Sequence, residues 1–561
     1  MGPVSGGSFV RPILLFGHPT KYPLPRQGRH FRQRQGCSLP LRGFALEPTK
    51  ILSHFAAGGV TIPVRFIMAY RSFREFLNAL EKEGELKRIA IPVDTDLLIA
   101  EWADREMKSP DGGKALLFEY PIVEGQKSEF PVAINTMGSR RRMGLALQVA
   151  DVADIAQEIQ LILKAKPPTD LREGWSLLKQ GIHLLHARPK SVREALCQEV
   201  VHKLGDAEAF SLRDLPILKC WPKDGGRFIT LPNVHTRDPE TGARNIGIYR
   251  MQVYDEATTA MHWQLHKVGA RHGKRYYERG ERMPVAVTLG GDPVYTFAAT
   301  APLPDGLDEL FFAGFLRKKS IELVRCKTID LEVPADVDFV LEGYVQPGEM
   351  RPEGPFGDHT GFYTAIEDYP VFHLTAITHR RDAIYPTTIV GKPPMEDYYI
   401  GDACVRILLP VFKMNFPELV DMTLPPEGVF HNLVFVSIRK QYPYQAFKVM
   451  HGLWGMGQMM FSKYIIAVDE DCDVHNTSEV LFRLCANTDP RRDTTIIKNP
   501  NDSLDHAPSK QNIGSHMGFD ATRKLPGENY HRPWPELLKM TDEARALVDA
   551  LQAQVLESRS L

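Results

Sequence analysis

The sequence predicts a multi-domain α/β protein with an all-β segment set into its middle. The first observation behind this is length: 561 residues exceed one ordinary core, and a prior of about 150 residues per domain implies roughly two to four domains. The second is helical periodicity near both ends of the chain. The third is a series of short β-type runs, broken by Gly, Pro, Asn and Asp, between about residues 210 and 390.

Residues 1–67 stand apart. They carry Arg11, Lys21, Arg26, Arg29, Arg32, Arg34, Arg42, Lys50 and Arg65 against the single acid Glu47, with no sustained apolar period. An Arg-rich, acid-poor leader fits an organelle transit peptide, but its Gly and Pro residues spoil the amphipathic helix such peptides use. The expectation is a disordered extension, or a start assigned too early with Met68 as the true beginning.

The segment 68–195 reads as an α/β domain. Ser72-Phe73-Arg74-Glu75 is a capping box, and Phe73, Phe76, Leu77 and Leu80 then follow at helical spacing until Gly84. Alternation over 89–93 predicts a strand and 155–163 an amphipathic helix. In 196–390 the β-type runs are 245–253, 285–289, 321–324, 339–345 and 371–378, a spacing that predicts a barrel or sandwich. In 391–535, the runs 434–438 and 464–468 read as buried strands around a helical stretch at 444–450, which implies a second α/β unit. In 536–561, Thr541 caps a helix with Asp542 and Glu543 in its first turn. Its stripe of Ala544, Leu547, Val548, Leu551, Val555 and Leu556 needs a surface to cover, its own domain's or another subunit's.

Composition excludes several classes. A net charge of -1 supplies no field for nucleic acid or anionic lipid. The seven cysteines (Cys37, Cys197, Cys220, Cys326, Cys404, Cys472 and Cys485) are scattered and never form C-x-x-C. They argue against a disulfide framework, a zinc ribbon or a dithiol centre, and for a reducing, cytoplasmic setting. No uncharged apolar run reaches the roughly 18 residues of a membrane span.

The segment Glu353-Gly354-Pro355-Phe356-Gly357-Asp358-His359-Thr360-Gly361 carries the densest chemistry. It fixes two carboxylates five residues apart on a backbone that Gly and Pro keep out of helix. It serves either as a site with one ion-pairing and one proton-carrying carboxylate or as an acidic surface turn. Asn245-Ile246-Gly247-Ile248-Tyr249-Arg250, read as a strand, puts Ile246, Ile248 and Arg250 on one face. An Arg among isoleucines binds an anionic ligand or forms a structural ion pair. His262 and His266 have the i,i+4 spacing of a zinc helix, but Trp263 stands where a zinc protease needs its Glu. They remain ligands for something else or a buried pair. Asp469, Asp471 and Asp473 imitate a calcium loop, yet Val474 and Val480 occupy its turn-Gly and closing-Glu positions. Gly452-Leu453-Trp454-Gly455-Met456-Gly457 has the wrong spacing for a dinucleotide loop.

In order, Asn245 to Arg250, His266, Glu309 in Asp305-Gly306-Leu307-Asp308-Glu309, and Glu353 to Gly361 resemble the UbiD family of prenylated-flavin-dependent decarboxylases. The resemblance runs from about Met68 to Asp520 and takes in Gly391-Lys392-Pro393-Pro394, Leu424-Pro425-Pro426-Glu427-Gly428 and Met517-Gly518-Phe519-Asp520-Ala521-Thr522. It implies an α/β domain, a central split β-barrel that binds the flavin, and a C-terminal oligomerising α/β domain in a homodimer or larger homo-oligomer. It further implies a carboxy-lyase that uses prenylated FMN in covalent catalysis, with a flavin prenyltransferase as cofactor supplier.

By the same resemblance Asn245, His266 and Glu309 hold Mn²⁺ or Mg²⁺ against the flavin phosphate, with potassium as a further cation. Two oxygen donors, an imidazole and a phosphate suit such a hard dication. Ile248, Arg250 and Lys463 join Asn245 and His266 around the cofactor. Arg250, Glu353 and Asp358 match the catalytic network. Arg250 orients the substrate and pairs with Glu353, while Asp358, kept protonated by burial near Glu353, is the proton donor.

Asp358-His359-Thr360-Gly361 is closer to the quinone-pathway members of the family. The expected substrate is therefore a hydroxybenzoate or naphthoate acid of ubiquinone or menaquinone synthesis, often prenylated, with at most peripheral membrane contact through its tail. Unprenylated phenolic acids are the alternative, and a non-catalytic flavin carrier is a more distant one. Met450, Leu453, Trp454, Met456, Met459, Met460 and Phe461 either line a pocket for a tail or form plain core.

Overall fold

The structure, a computed structural model, describes residues 69–164, 187–205, 210–264, 267–303 and 306–559. The expectations for 1–67 and for His266 fall outside these residues. The first helix, Phe73–Lys82, buries Phe73, Phe76, Leu77 and Leu80, and the Ser72 hydroxyl accepts the Glu75 N–H at 3.1 Å. The reciprocal half of the capping box moves one residue outward: the Glu75 carboxylate accepts from Arg71 N at 2.6 Å. Glu75 also meets the Arg71 guanidinium there, so the carboxylate gains a charged partner with the N–H.

The first sheet runs in the order Leu86–Asp94, Ala115–Val123, Val132–Ile134, Tyr385–Thr387, with Gln126–Lys127 attached to its second strand. Its last strand comes from the far end of the central segment, so the first α/β layer is closed by residues just before 390. Helix Ala153–Lys164 packs on helix Glu396–Asn415, which leads into the third segment.

The central sheet has the order Thr258–Ala260, Glu367–His379, Phe339–Glu353, Met283–Leu289, Asn233–Arg237, Arg244–Ile248, with Val200–Lys203 also on Glu367–His379. Each of these pairings is antiparallel. The central sheet is antiparallel, but the segment is not all-β as expected, because helices Val268–Glu278, Val294–Thr300 and Glu309–Arg317 lie among its strands, and the strands of the expected split barrel form no closed barrel among the described residues. The hydrogen-bonded order has two ends, and among the described residues no pairing closes it. One edge amide has another partner instead: Ile246 N–H donates to the Glu309 carboxylate at 3.1 Å, so a side chain stands where a neighbouring strand would. The expected run 245–253 is split as well. Arg244–Ile248 pairs with Asn233–Arg237 and Met251–Gln252 with Phe228–Ile229, leaving Tyr249 and Arg250 in a break between them.

The third segment forms a second α/β unit. Three parallel strands, Leu433–Ile438, Tyr464–Asp469 and Ile513–Asp520, are flanked by antiparallel Leu419–Thr423 and Thr494–Pro500. Helix Gln445–Trp454 crosses between the first two parallel strands. The last helix, Asp542–Arg559, starts where the Thr541 hydroxyl accepts the Ala544 N–H at 3.2 Å. Its Leu547, Val548 and Leu551 are 50–63% exposed. Among the described residues no helix is long and apolar enough to cross a membrane.

Phe339 fastens the first two layers. It is fully buried at the start of the long central strand, with ring centroids 4.9 Å from Phe130 and 5.9 Å from Tyr385 of the first layer. Phe339→Ala is expected to cost about 3–5 kcal/mol in urea unfolding. A loss below about 1 kcal/mol would show that this joint closes without the ring.

Candidate active site

The strand break delivers Arg250 to the end of the long hairpin. Glu353 is the last residue of strand Phe339–Glu353 and is 1% exposed. Arg250 Nε donates to Glu353 Oε1 at 2.9 Å and Nη2 to Oε2 at 3.2 Å, a two-toothed contact that fixes the guanidinium plane. Nη1 donates to Asp358 Oδ2. The Phe356 ring lies 4.7 Å from the guanidinium, and His262 Nδ1 meets the same Glu353 Oε2 at 2.8 Å. His262 sits in irregular backbone rather than on a helical face. Of the expected histidine pair, it belongs to this network.

The Gly- and Pro-rich loop holds Asp358 through its own backbone. Gly354 N donates to Gln252 Oε1 at 2.7 Å, Gly357 N to Asp224 Oδ1 at 2.8 Å and Asp358 N to Phe362 O at 3.1 Å. The segment is therefore a built site and not a solvated acidic turn. His359 continues the line: its Nδ1 is 2.7 Å from Asp358 Oδ1 and its Nε2 is 2.7 Å from His431 Nε2.

The electrostatics overturn one expectation. Burial raises the pKa of Asp358, but the Arg250 charge and His359 outweigh it and hold the carboxyl well below its usual range. Asp358 is thus ionised at neutral pH, where the sequence reading has it protonated. Burial lowers His359, yet Asp358 raises it on balance, so the proton of the pair resides on the imidazole. Glu353 is likewise held down against burial by the His262 hydrogen bond and Arg250. Arg250 is kept charged against burial by both acids.

His431 ends this line on the wall of a cavity of about 760 Å³, lined largely by apolar side chains such as Ile248, Val390, Ile400, Leu408, Phe430 and Met459. Asp397 and Asp502 are polar exceptions on that wall. Burial pushes Asp397 up to about 7. The Met-rich stretch divides: Met456, Met459 and Phe461 face the cavity, while Met450, Leu453 and Trp454 are buried in the core of the third unit.

A second cavity, of about 480 Å³, holds Asn245 and Glu309 together with Arg271, His272 and Arg275. Leu303 lines both cavities, so the two adjoin. Asn245 reaches this side from strand Arg244–Ile248, and Glu309 is the first residue of helix Glu309–Arg317. Burial pushes the Glu309 carboxyl up to about 7, with its own and Ile246's backbone N–H groups offsetting only part of that. Asn245 and the buried Glu309 carboxylate would hold a hard dication and Arg271 a phosphate, while Arg275 is already paired with Asp238 on the same wall and burial lowers the pKa of His272. Among the described residues no three His, Cys, Asp or Glu side chains form a metal cluster. The third expected ligand, His266, lies outside them.

Lys463 is held in an ion pair. Its ammonium pairs with Asp505 at 2.7 Å and is not part of either cavity wall, although the preceding Ser462 is. Asp505 is itself held by Asn501 at 2.8 Å, so the carboxylate that captures the lysine is fixed in advance. Sequence reasoning missed His431, Asp397 and Asp502. His431 lies three residues past the Leu424-Pro425-Pro426-Glu427-Gly428 motif, and that proximity was the available signal.

Together these features define an α/β protein in which acid–base groups lead to an apolar cavity, with a polar cavity lined by Asn245 and Glu309 beside it. Comparison with known proteins sharpens this. Three 3-octaprenyl-4-hydroxybenzoate carboxy-lyase domains match: the N-terminal domain over residues 77–161, the Rift-related domain over 190–393 and the C-terminal domain over 398–521. An uncharacterized protein of Archaeoglobus fulgidus is 48% identical over 492 residues, 87% of this chain and 99% of the relative. The closed form of the vanillic acid decarboxylase of Sedimentibacter hydroxybenzoicus aligns with TM-score 0.75 at 26% identity, covering 87% of this chain and 99% of that one. The UbiD-class enzyme HmfF of Pelotomaculum thermopropionicum in complex with FMN aligns with TM-score 0.69 at 27% identity, covering 84% and 98%. The chain belongs to the UbiD family of carboxy-lyases.

Removing the guanidinium strands two buried carboxylates. Arg250→Met is therefore expected to destabilise the fold by about 3–5 kcal/mol at neutral pH. The depressed pKa of Asp358 also sets a pH signature. Its stabilisation is present above the unfolded carboxyl value of about 3.9 and is lost as pH falls through the lower folded value. Unfolding curves between about pH 6 and pH 2 should thus fall less steeply for Asp358→Asn than for the parent. Identical slopes would show that Asp358 is not held ionised.

Proposed function

We propose that the chain decarboxylates an aromatic acid with prenylated FMN and a manganese-type dication. The observation that carries this is the intact Arg250–Glu353–Asp358 network, leading through His359 and His431 to an apolar cavity that adjoins the Asn245–Glu309 cavity. Prenylated FMN, when bound, supplies an electron sink for the pair that departing CO₂ leaves on an sp² carbon, which no side chain provides. Asn245, Glu309 and His266 would hold the dication and phosphate, and Ile248 and Leu303 the wall beside the ring. Arg250 keeps its plane through Glu353 and orients anionic substrate. The Asp358–His359 pair holds the proton that replaces CO₂. The apolar walls exclude water that would otherwise compete for that proton.

The substituent on the ring is the finer choice. Leu408, Phe412, Met456, Met459 and Phe461 in the cavity lining support an apolar tail, as on a polyprenyl hydroxybenzoate or naphthoate of ubiquinone or menaquinone synthesis. Similarity to a vanillic acid decarboxylase supports an unprenylated phenolic acid instead. The exposed Leu547, Val548 and Leu551 on the last helix support assembly into a homo-oligomer.

Co-expression with a flavin prenyltransferase, followed by a CO₂-release screen over prenylated and plain aromatic acids, tests the reading. The parent is expected to release CO₂, and Asp358→Asn to keep its flavin while losing about 10²–10⁴ in turnover. Release at the parent rate by Asp358→Asn would remove the pair from the chemistry. Glu309→Gln is expected to shed flavin on gel filtration, and an unchanged flavin spectrum would remove Glu309 from the cofactor site.

A further inference from the structure

The line from Asp358 through His359 leaves its last imidazole on the cavity wall with one nitrogen unaccounted for. His359 Nε2 and His431 Nε2 are 2.7 Å apart, and two ring nitrogens at that distance share a single hydrogen. His359 Nδ1 is 2.7 Å from the ionised Asp358 and donates to it. Burial, then the charge of His359, lowers His431 to about 4, whereas Asp358 raises His359. Neighbouring charges act on both rings. Asp397 and Asp502 favour charge on His359, Lys267 disfavours it on His431, and Asp502 and Asp505 pull His431 the other way without reversing the order. His359 therefore donates from both nitrogens. His431, neutral and accepting at Nε2, must carry its own hydrogen on Nδ1. That Nδ1 is buried and has no hydrogen-bond partner among the described residues, on a residue that lines the 760 Å³ cavity.

Building on the decarboxylase reading, we propose that His431 is the group that hands the proton to the substrate, relaying it from His359. The C–CO₂ bond breaks and leaves its electron pair on the ring carbon. His431 gives its Nδ1 hydrogen to that carbon, forming the C–H bond, and its Nε2 takes the Nε2 hydrogen of His359. His359 is left neutral, still donating from Nδ1 to Asp358, and solvent water restores the proton. Asp358 acts by keeping His359 charged and oriented, and so is a positioning residue for the relay.

His431→Gln separates relay from scaffold. A Gln amide accepts from His359 through its carbonyl oxygen and donates into the cavity through its NH₂, keeping both hydrogen bonds, but it does not pass a proton. In the flavin-loaded enzyme KM is expected to stay within about twofold while kcat falls about 100-fold or more. An unchanged kcat overturns the proposal. A second readout needs no turnover: ¹⁵N-histidine spectra of the protein as purified, at neutral pH, with the His431→Gln spectrum assigning the signals. His359 is expected to be protonated on both nitrogens and His431 on Nδ1 alone. A His431 hydrogen on Nε2 overturns the relay. If the parent releases CO₂ from no acid tested, the decarboxylase reading falls by itself, and the spectra still decide whether the proton stands in the order required.

Discussion

A guanidinium buried between two carboxylates sets the geometry on which the rest of this site depends. Glu353 and Asp358 are buried and Arg250 is nearly so, so each needs the others to remain charged, and the loss of any one strands its partners. The pairs link residues 103 and 108 positions apart, which ties the break after strand Arg244–Ile248 to the end of the long hairpin. The two-toothed contact from Glu353 and the Phe356 ring leave the guanidinium one orientation. Short strands use their alternation economically here. Within 245–250, Asn245 reaches the small polar cavity, Ile248 the apolar one and Arg250 the acid network.

That constraint also decides where the proton rests. A carboxylate facing a guanidinium on one side and an imidazole on the other has no reason to keep a proton, and Asp358 loses it to His359. The acid of the site is then a pair. Its charge is spread over a ring that can donate from two directions, one toward Asp358 and one toward His431. A lone protonated carboxyl offers a single donor.

The flanking α/β units were legible because their periodicity is local. Phe73, Phe76, Leu77 and Leu80 lie on one buried face, and the segments read as strands at 434–438 and 464–468 pair in parallel. Local signals failed where the deciding partner is distant. Tyr385–Thr387 joins the first sheet by only three residues, and the edge of the central sheet is satisfied by Glu309 and not by a strand. Neither leaves a pattern in sequence. Among site residues, Arg250, Glu353 and Asp358 come together as the family resemblance implies, and Asn245 and Glu309 share a cavity. Lys463 pairs with Asp505, 42 residues away, a partner that no local pattern shows. His431 was missed because a single His in a loop says nothing until His359, 72 residues away, lies against it. The protonation of Asp358 was misjudged by counting burial near Glu353 without the guanidinium and imidazole that outweigh it.

The most direct test is a crystal structure of the chain produced together with prenylated flavin and manganese. The flavin phosphate and metal are expected in the cavity of Asn245 and Glu309, with the ring beside Ile248 and Arg250 still held by Glu353 and Asp358. A flavin ring bound away from Ile248, or an Arg250 released from both acids, would contradict the central claim.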